Sequence, residues 1–322
     1  MYQERCHRMY VLYADSRATL KANSQIFDRY MEPMLQAMER AKQAGRIPAN
    51  LPEISQYLQV CRWPFRQLEY SFALDALLQH LKPGMRYLDS GSGATPLAHV
   101  ISQLGVEAEA CDSDTRLIAA LRQLQPETIY GTRVQYSTQD LTATSYPDES
   151  FDAISCISVL EHIPAPHDQR AIHELQRILK PGGILVMTVD FTPVSTMHER
   201  ATYFAQRAVQ LIRRGDLLAV VHGLGRKVAA RHIVSAGVAQ QARSANQCFE
   251  ISHIEQDILP ALHTREEPSR LPFTTNMRAI TPSDTKRFWD LAAGLYHNQG
   301  QRAVLPAAFI GRKIGTIEMP TA

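Results

Sequence analysis

Residues 85–104, M-R-Y-L-D-S-G-S-G-A-T-P-L-A-H-V-I-S-Q-L, leave this chain few folds to choose from. They read as a short buried strand over Met85–Leu88, a glycine turn over Ser90–Gly93 and a helix over Thr95–Leu104. Leu97, Val100, Ile101 and Leu104 fall at i, i+3, i+4 and i+7, one face of a helix. Gly91 and Gly93 carry no Cβ, so the turn can be tight and a ligand can lie against bare backbone. The N–H groups of the first helical turn then face that ligand. Taken alone, D-x-G-x-G also fits a turn that binds nothing.

The acidic residue narrows the ligand. Asp89 sits at the strand's end, where its carboxylate would repel a pyrophosphate laid over the turn but would suit an ammonium or sulfonium charge. Pro96 stands where the dinucleotide fingerprint G-x-G-x-x-G has its third glycine. Proline is tolerated there, in a helix's first turn. A nicotinamide dehydrogenase is therefore disfavoured.

Downstream, strands and helices alternate. Val106–Cys111 alternates apolar and acidic residues and ends at Asp112, nineteen positions after Gly93. Leu117, Ile118, Leu121 and Leu124 mark a helix, and Val134–Tyr136 a short strand followed by Asp140. Phe151–Val159 reads as a fourth strand. Ile172, Leu175, Ile178 and Leu179 mark a helix ended by Lys180-Pro181-Gly182-Gly183, and Ile184–Phe191 is a fifth strand. Val304–Ile314 reads as a closing strand, with Pro306 favouring an edge or a bulge. The expected fold is α/β, a doubly wound, Rossmann-like, mostly parallel sheet of seven strands with helices on both faces. Ligands of such sheets bind at the carboxyl ends of the strands. Upstream, Arg62–Leu81 reads as a helix entering the core, and a stripe of Ile26, Tyr30, Met34, Leu35 and Met38 as a packing helix. The expected division is an N-terminal helical cap over 1–61, the core over 62–192, a helical insertion over 193–250 and a completion of the core over 251–322.

Composition sets outer bounds. The 322 residues carry a net charge of +2, so bulk charge names no partner. Five scattered cysteines, none in C-x-x-C spacing, argue against a disulfide framework or zinc site and suit a reducing cytosol. No metal ligand set is read. The N-terminus leads into no apolar signal segment, and no run is long enough to span a membrane. A cytoplasmic location is the expectation. From His198 to Gln247 eight basic residues face two acidic ones. That stretch reads as a solvated face, a substrate lid or a surface for an anionic partner. Its few aromatics, Tyr203 and Phe204 with Phe249 just beyond, make a nucleic-acid partner unlikely.

Three carboxylates fall at successive strand ends. Asp112 is placed to accept hydrogen bonds from vicinal ribose hydroxyls. Asp140 is placed near an adenine edge, and Asp89 faces the remaining end of the ligand. A nucleoside with a cationic tail satisfies all three.

At this point residues 85–191 resemble the core of a class I S-adenosylmethionine-dependent methyltransferase of the small-molecule branch. Y-L-D-S-G-S-G resembles the family's first motif, A-C-D-S-D the second and Q-D-L the adenine-site acid. S-F-D-A-I-S-C-I-S-V-L-E-H-I resembles its fourth-strand motif, and L-K-P-G-G-I-L-V-M-T the turn before the fifth strand. The resemblance covers about a third of the chain and is poor over 1–60 and 193–250. It implies S-adenosylmethionine as cofactor and a small or medium organic acceptor methylated at oxygen or nitrogen. The cofactor contacts it implies are Asp89, Ser90, Gly91, Ser92 and Gly93 of the turn, Asp112 and Ser113, Asp140 and Leu141, and Ser158. Tyr70, beside Glu69, is read either as core packing or as a cover over the methionine end. His162 is read either as a capping histidine or as the base that takes the acceptor's proton. Two other readings stay open: methylation of a macromolecule or lipid-linked anion, and a non-catalytic protein that binds the cofactor.

Overall fold

Strands buried on both faces must be apolar along their length, and those of this chain meet that condition at its centre. The computed structural model describes residues 9–47, 57–164, 166–191, 262–271 and 305–314, with separate positions between 273 and 291. The described strands are β1 (Tyr10–Val11), β2 (Arg86–Ser90), β3 (Glu107–Asp112), β4 (Val134–Thr138), β5 (Phe151–Ile157), β6 (Leu179–Phe191), β7 (Thr264–Glu266) and β8 (Leu305–Lys313). They form one sheet in the order β1-β8-β6-β5-β2-β3-β4, a path of seven, with β7 added along β8. The pairs β2–β3, β3–β4, β2–β5 and β5–β6 are parallel, and β8 runs antiparallel to β6, β1 and β7. The chain winds outward from β2 through β3 to β4, then returns to the other side of β2 as β5. The order thus reverses at β2, where such a sheet opens a crevice for a ligand.

The described helices include α1 (Arg17–Asn23), α2 (Gln25–Gln43), α3 (Pro64–His80), α4 (Leu97–Ser102), α5 (Thr115–Leu124), α6 (Glu127–Tyr130) and α7 (His167–Ile178), with a 3-10 turn at Leu160–His162. In α3 the residues Leu68, Phe72, Leu74 and Leu77 are fully buried. Pro64 opens α3 in the first-turn position where its missing N–H costs nothing. α2 packs on α3 and buries Phe27, Met31, Met34, Leu35 and Met38, so its buried side is rotated from the expected stripe. Arg62 fastens this pair with bonds to Glu32 (2.9 Å) and Glu39 (2.6 Å).

Boundaries shift where the ladder recruits polar residues. β2 runs two residues past Leu88, because Asp89 and Ser90 pair with Ala110 and Cys111 of β3. The fourth strand stops at Ile157 rather than Val159, and α4 is shorter at both ends than the expected Thr95–Leu104. Lys180–Gly183 lies inside β6, where the pairing with β5 shifts register between Phe151 and Ala153.

β8 is not an edge at Pro306, since β1 pairs beside it at Ala307 and Ala308. The Pro306 carbonyl accepts from Leu12 N–H at 2.9 Å. A strand residue's N–H and C=O point to the same side, so the missing donor of Pro306 faces the two-residue β1 and not the long β6 ladder. The expected helical insertion over 193–250, with its basic stretch from His198 to Gln247, lies outside the described residues. So does most of the expected completion of the core over 251–322.

Candidate active site

Because β2, β3, β4 and β5 are parallel, their carboxyl ends meet at one edge of the sheet. A cavity of about 610 Å³ opens there. Tyr70, Asp89, Gly91, Ser92, Gly93, Asp112, Ser113, Asp140, Leu141, Ser158 and His162 all line it. Ser90 does not: it is fully buried, and its hydroxyl donates to the Ser155 carbonyl at 2.6 Å.

The glycine turn is as tight as its sequence suggests. Gly91 and Gly93 take φ of 68° and 56°. A Cβ on Gly91 would come within 2.5 Å of Val159 Cγ2, and one on Gly93 would strike the Tyr57 ring. The Ser92 N–H donates to the Cys111 carbonyl (2.9 Å) and the Gly93 N–H to Asp112 Oδ2 (3.0 Å), so the end of β3 holds the turn. Asp112 Oδ1 accepts from the Asp114 N–H at 3.0 Å. Each Asp112 oxygen keeps a lone pair for a further donor. Asp140 is exposed, and its Oδ1 accepts from the Thr142 N–H and hydroxyl, both at 2.8 Å.

Asp89 is 3 % exposed. Its Oδ1 accepts from Ser155 Oγ at 2.7 Å, and Ser155 Oγ lies 2.6 Å from the Tyr87 hydroxyl. With the Ser155 proton committed to Asp89, Tyr87 is the donor of that second bond. Asp89 Oδ2 is buried with no hydrogen-bond partner among the described residues. Burial pushes this carboxyl up to about 7, against the Ser155 hydrogen bond. A buried acceptor left open is costly, and a cation arriving in the cavity would relieve that cost.

At the mouth of β5, Ser158 adopts φ 51°, uncommon for a serine. Its N–H is held by Thr188 O and Oγ1 at 3.0 and 3.1 Å, and its hydroxyl donates to Glu69 Oε1. The 3-10 turn follows, carrying His162 to the cavity, with the His162 N–H donating to the Val159 carbonyl at 2.9 Å. His167, at the start of α7, lines the cavity as well.

The N-terminal segment contributes wall residues that the sequence reading left without chemistry: Tyr57, Val60 and Cys61, with Arg66 of α3. Arg66 pairs with Glu69 at 2.6 Å and lies 3.8 Å from Asp190. Nearby Glu161 is 1 % exposed, and neither carboxyl oxygen has a partner among the described residues. Burial first, and then the charge of Asp190, pushes Glu161 well above the usual carboxyl range. Among the described residues no group of three His, Cys, Asp or Glu could hold a metal ion. No helix there is long and apolar enough to cross a membrane.

The family model described as a methyltransferase domain matches residues 88–187. The ubiquinone biosynthesis O-methyltransferase of Xanthomonas campestris pv. campestris is 36 % identical over 132 residues, 40 % of this chain and 51 % of that one. The protein of the same name from Alkalilimnicola ehrlichii is 32 % identical over 135 residues, 41 % of this chain and 52 % of that one. The chain thus spans about half the length of the curated relatives it matches. Among solved structures, the YcgJ protein from Bacillus subtilis is 16 % identical, with a TM-score of 0.44 over 75 % of this chain and 97 % of that one. The glycine turn and the three strand-end carboxylates lie in or beside the stretch that matches, so residues 88–187 are similar to a methyltransferase domain.

Proposed function

We propose that this protein transfers a methyl group from S-adenosylmethionine to an oxygen atom of a small organic acceptor. The observation that carries the reading is Asp89 Oδ2, a buried carboxylate oxygen without a partner among the described residues, facing a cavity floored by two bare glycines. The residues fit the cofactor. Asp89 offers its open oxygen to the ammonium-bearing end, Gly91 and Gly93 leave room for the chain of the ligand, and Asp112 keeps lone pairs for two ribose hydroxyls. Asp140 and Leu141 border the place left for the base, with Ser92, Ser113 and Ser158 completing the wall and Tyr70 closing one side.

The cofactor supplies a methyl group on a sulfonium, which is already electrophilic. The chain's own residues have to align an acceptor with it and exclude water, a matter chiefly of position. His162 is the proposed base, accepting the proton that the acceptor hydroxyl loses as its oxygen takes the methyl group. Oxygen is preferred over nitrogen because the relatives that match over about 130 residues are named O-methyltransferases. A small acceptor is preferred because those relatives are named for the biosynthesis of ubiquinone, a small molecule. A reducing, cytoplasmic setting belongs to the proposal, since Cys61, Cys111 and Cys156 are buried free thiols.

The test is calorimetry with S-adenosylhomocysteine, followed by transfer of labelled methyl from S-adenosylmethionine to a panel of phenols and aliphatic alcohols. Saturable binding and label on an oxygen are expected. A protein that binds NADH and neither adenosyl ligand would overturn the reading.

A further inference from the structure

We infer that Glu69 is a positioning residue that fixes the hydrogen-bonding polarity of the wall at the methionine end of the cofactor. This rests on the cofactor site proposed above. Glu69 is fully buried on α3, outside the motifs of the sheet. Its Oε1 accepts from the hydroxyls of Ser158 and Thr188, the latter at 2.6 Å, and its Oε2 from Arg66 at 2.6 Å. The bonds to Ser158 and Thr188 cross 89 and 119 positions of sequence and tie the helix to β5 and β6 at their carboxyl ends. Burying a carboxylate is expensive, and an apolar residue would serve packing better.

The arrangement commits one proton. The hydroxyl of Ser158 is spent on Glu69, so toward the cavity its oxygen can only accept. On the adjoining stretch of β5 the hydroxyl of Ser155 is spent on Asp89 in the same way. The wall above β2 and β5 therefore offers the open Asp89 Oδ2 and the lone pairs of Ser158, both acceptors. A group with several N–H donors, such as an α-ammonium, fits this wall, and a carboxylate does not. The same bond holds the left-handed Ser158 in place, which sets Val159 against Gly91.

Replacing Glu69 by glutamine would keep the shape but point an NH₂ group at Ser158 or Thr188 and free the Ser158 proton to turn into the cavity. Affinities for S-adenosylhomocysteine and for adenosine, which lacks the methionine end, are measured for the unaltered protein, Glu69→Gln, Ser158→Ala and the double variant. Glu69→Gln and Ser158→Ala should each weaken S-adenosylhomocysteine by about tenfold or more while leaving adenosine within about twofold. The double variant should be no weaker than the worse single one. Equal losses for both ligands, or additive losses in the double variant, would make Glu69 structural only and overturn the inference. Should Glu69→Gln fail to fold, Ser158→Ala decides alone: it must discriminate between the two ligands. If the unaltered protein bound no S-adenosylhomocysteine, the cofactor site itself would be wrong, and the inference with it.

Discussion

Asp112 reaches back 19 positions to close the turn, its Oδ2 accepting the Gly93 N–H at 3.0 Å. One carboxylate thereby serves both the backbone of the turn and, in the proposed complex, two ribose hydroxyls. Asp112→Ala should weaken S-adenosylhomocysteine by about 1–3 kcal/mol through the loss of charge-assisted bonds. It should also lower the melting temperature of the free protein, because the Gly93 and Asp114 N–H groups lose their acceptor. Calorimetry and a thermal scan separate the two effects. Unchanged affinity would exclude Asp112 from the site.

Asp89 makes a pH prediction of defined sign. Its folded value, about 7, lies above the ordinary value of 3.8. Between these values the folded chain holds a proton that the unfolded chain has lost. Its contribution to stability is present below about pH 4 and is lost as pH rises through 7, by about 4 kcal/mol at most. Chemical denaturation of the unaltered protein and of Asp89→Asn at pH 5 and pH 8 should show the fall as a change with pH in the stability difference between the two. Cofactor affinity should run the other way, rising from pH 6 to 8 as Asp89 ionises to meet the ammonium group. An affinity independent of pH would remove Asp89 from contact with that group.

His99 titrates in the opposite sense. It is 1 % exposed, bonded through Nδ1 to the Thr132 hydroxyl and through Nε2 to the Tyr136 hydroxyl, both at 2.8 Å. Burial lowers it to about 4 from 6.5. The folded chain keeps it neutral where the unfolded chain would charge it, so stability is full above pH 6.5 and is lost as pH falls toward 4, by about 3 kcal/mol. A His99→Phe variant should be less stable at pH 7.5, where Thr132 and Tyr136 lose their partner, and its deficit against the unaltered protein should shrink as pH falls from 7 to 5. A deficit that did not shrink would assign the acid limb to other groups.

Gly91 is constrained twice, by φ 68° and by Val159. Gly91→Ala should destabilise the free protein by about 1–3 kcal/mol and weaken the cofactor. Adding Val159→Ala removes the side chain that the new methyl group meets but leaves the backbone strain, so only part of the loss should return. Full recovery in the double variant would show that φ is not a constraint at this turn.

Strand, turn, helix and the acid after the next strand were legible because they are local. Met85–Leu104 and Asp112 lie within thirty residues of chain, and each answers to a backbone or periodic requirement that residue types express directly. Asp89, Gly91, Gly93, Asp112 and Asp140 converge on the cavity because parallel strands must place their carboxyl ends together. The strand alternation carried the doubly wound order for the same reason.

Only the tertiary structure decided the rest. Tyr57, Cys61 and Arg66 enter the cavity wall from a helical segment whose own pattern records packing and nothing of the site. Ser90, expected at the cofactor, is turned inward because β2 extends through it and Ser155 offers an acceptor below. Glu69 beside Tyr70 reads as one more polar residue until the fold brings Ser158 and Thr188 to it. The shifts at Asp89, His99 and Glu161 follow from burial, and burial belongs to no residue alone. A chain spells out turns and periodicities because their partners are a few residues away. Which carboxylate keeps its charge depends on neighbours that sequence separation does not reveal.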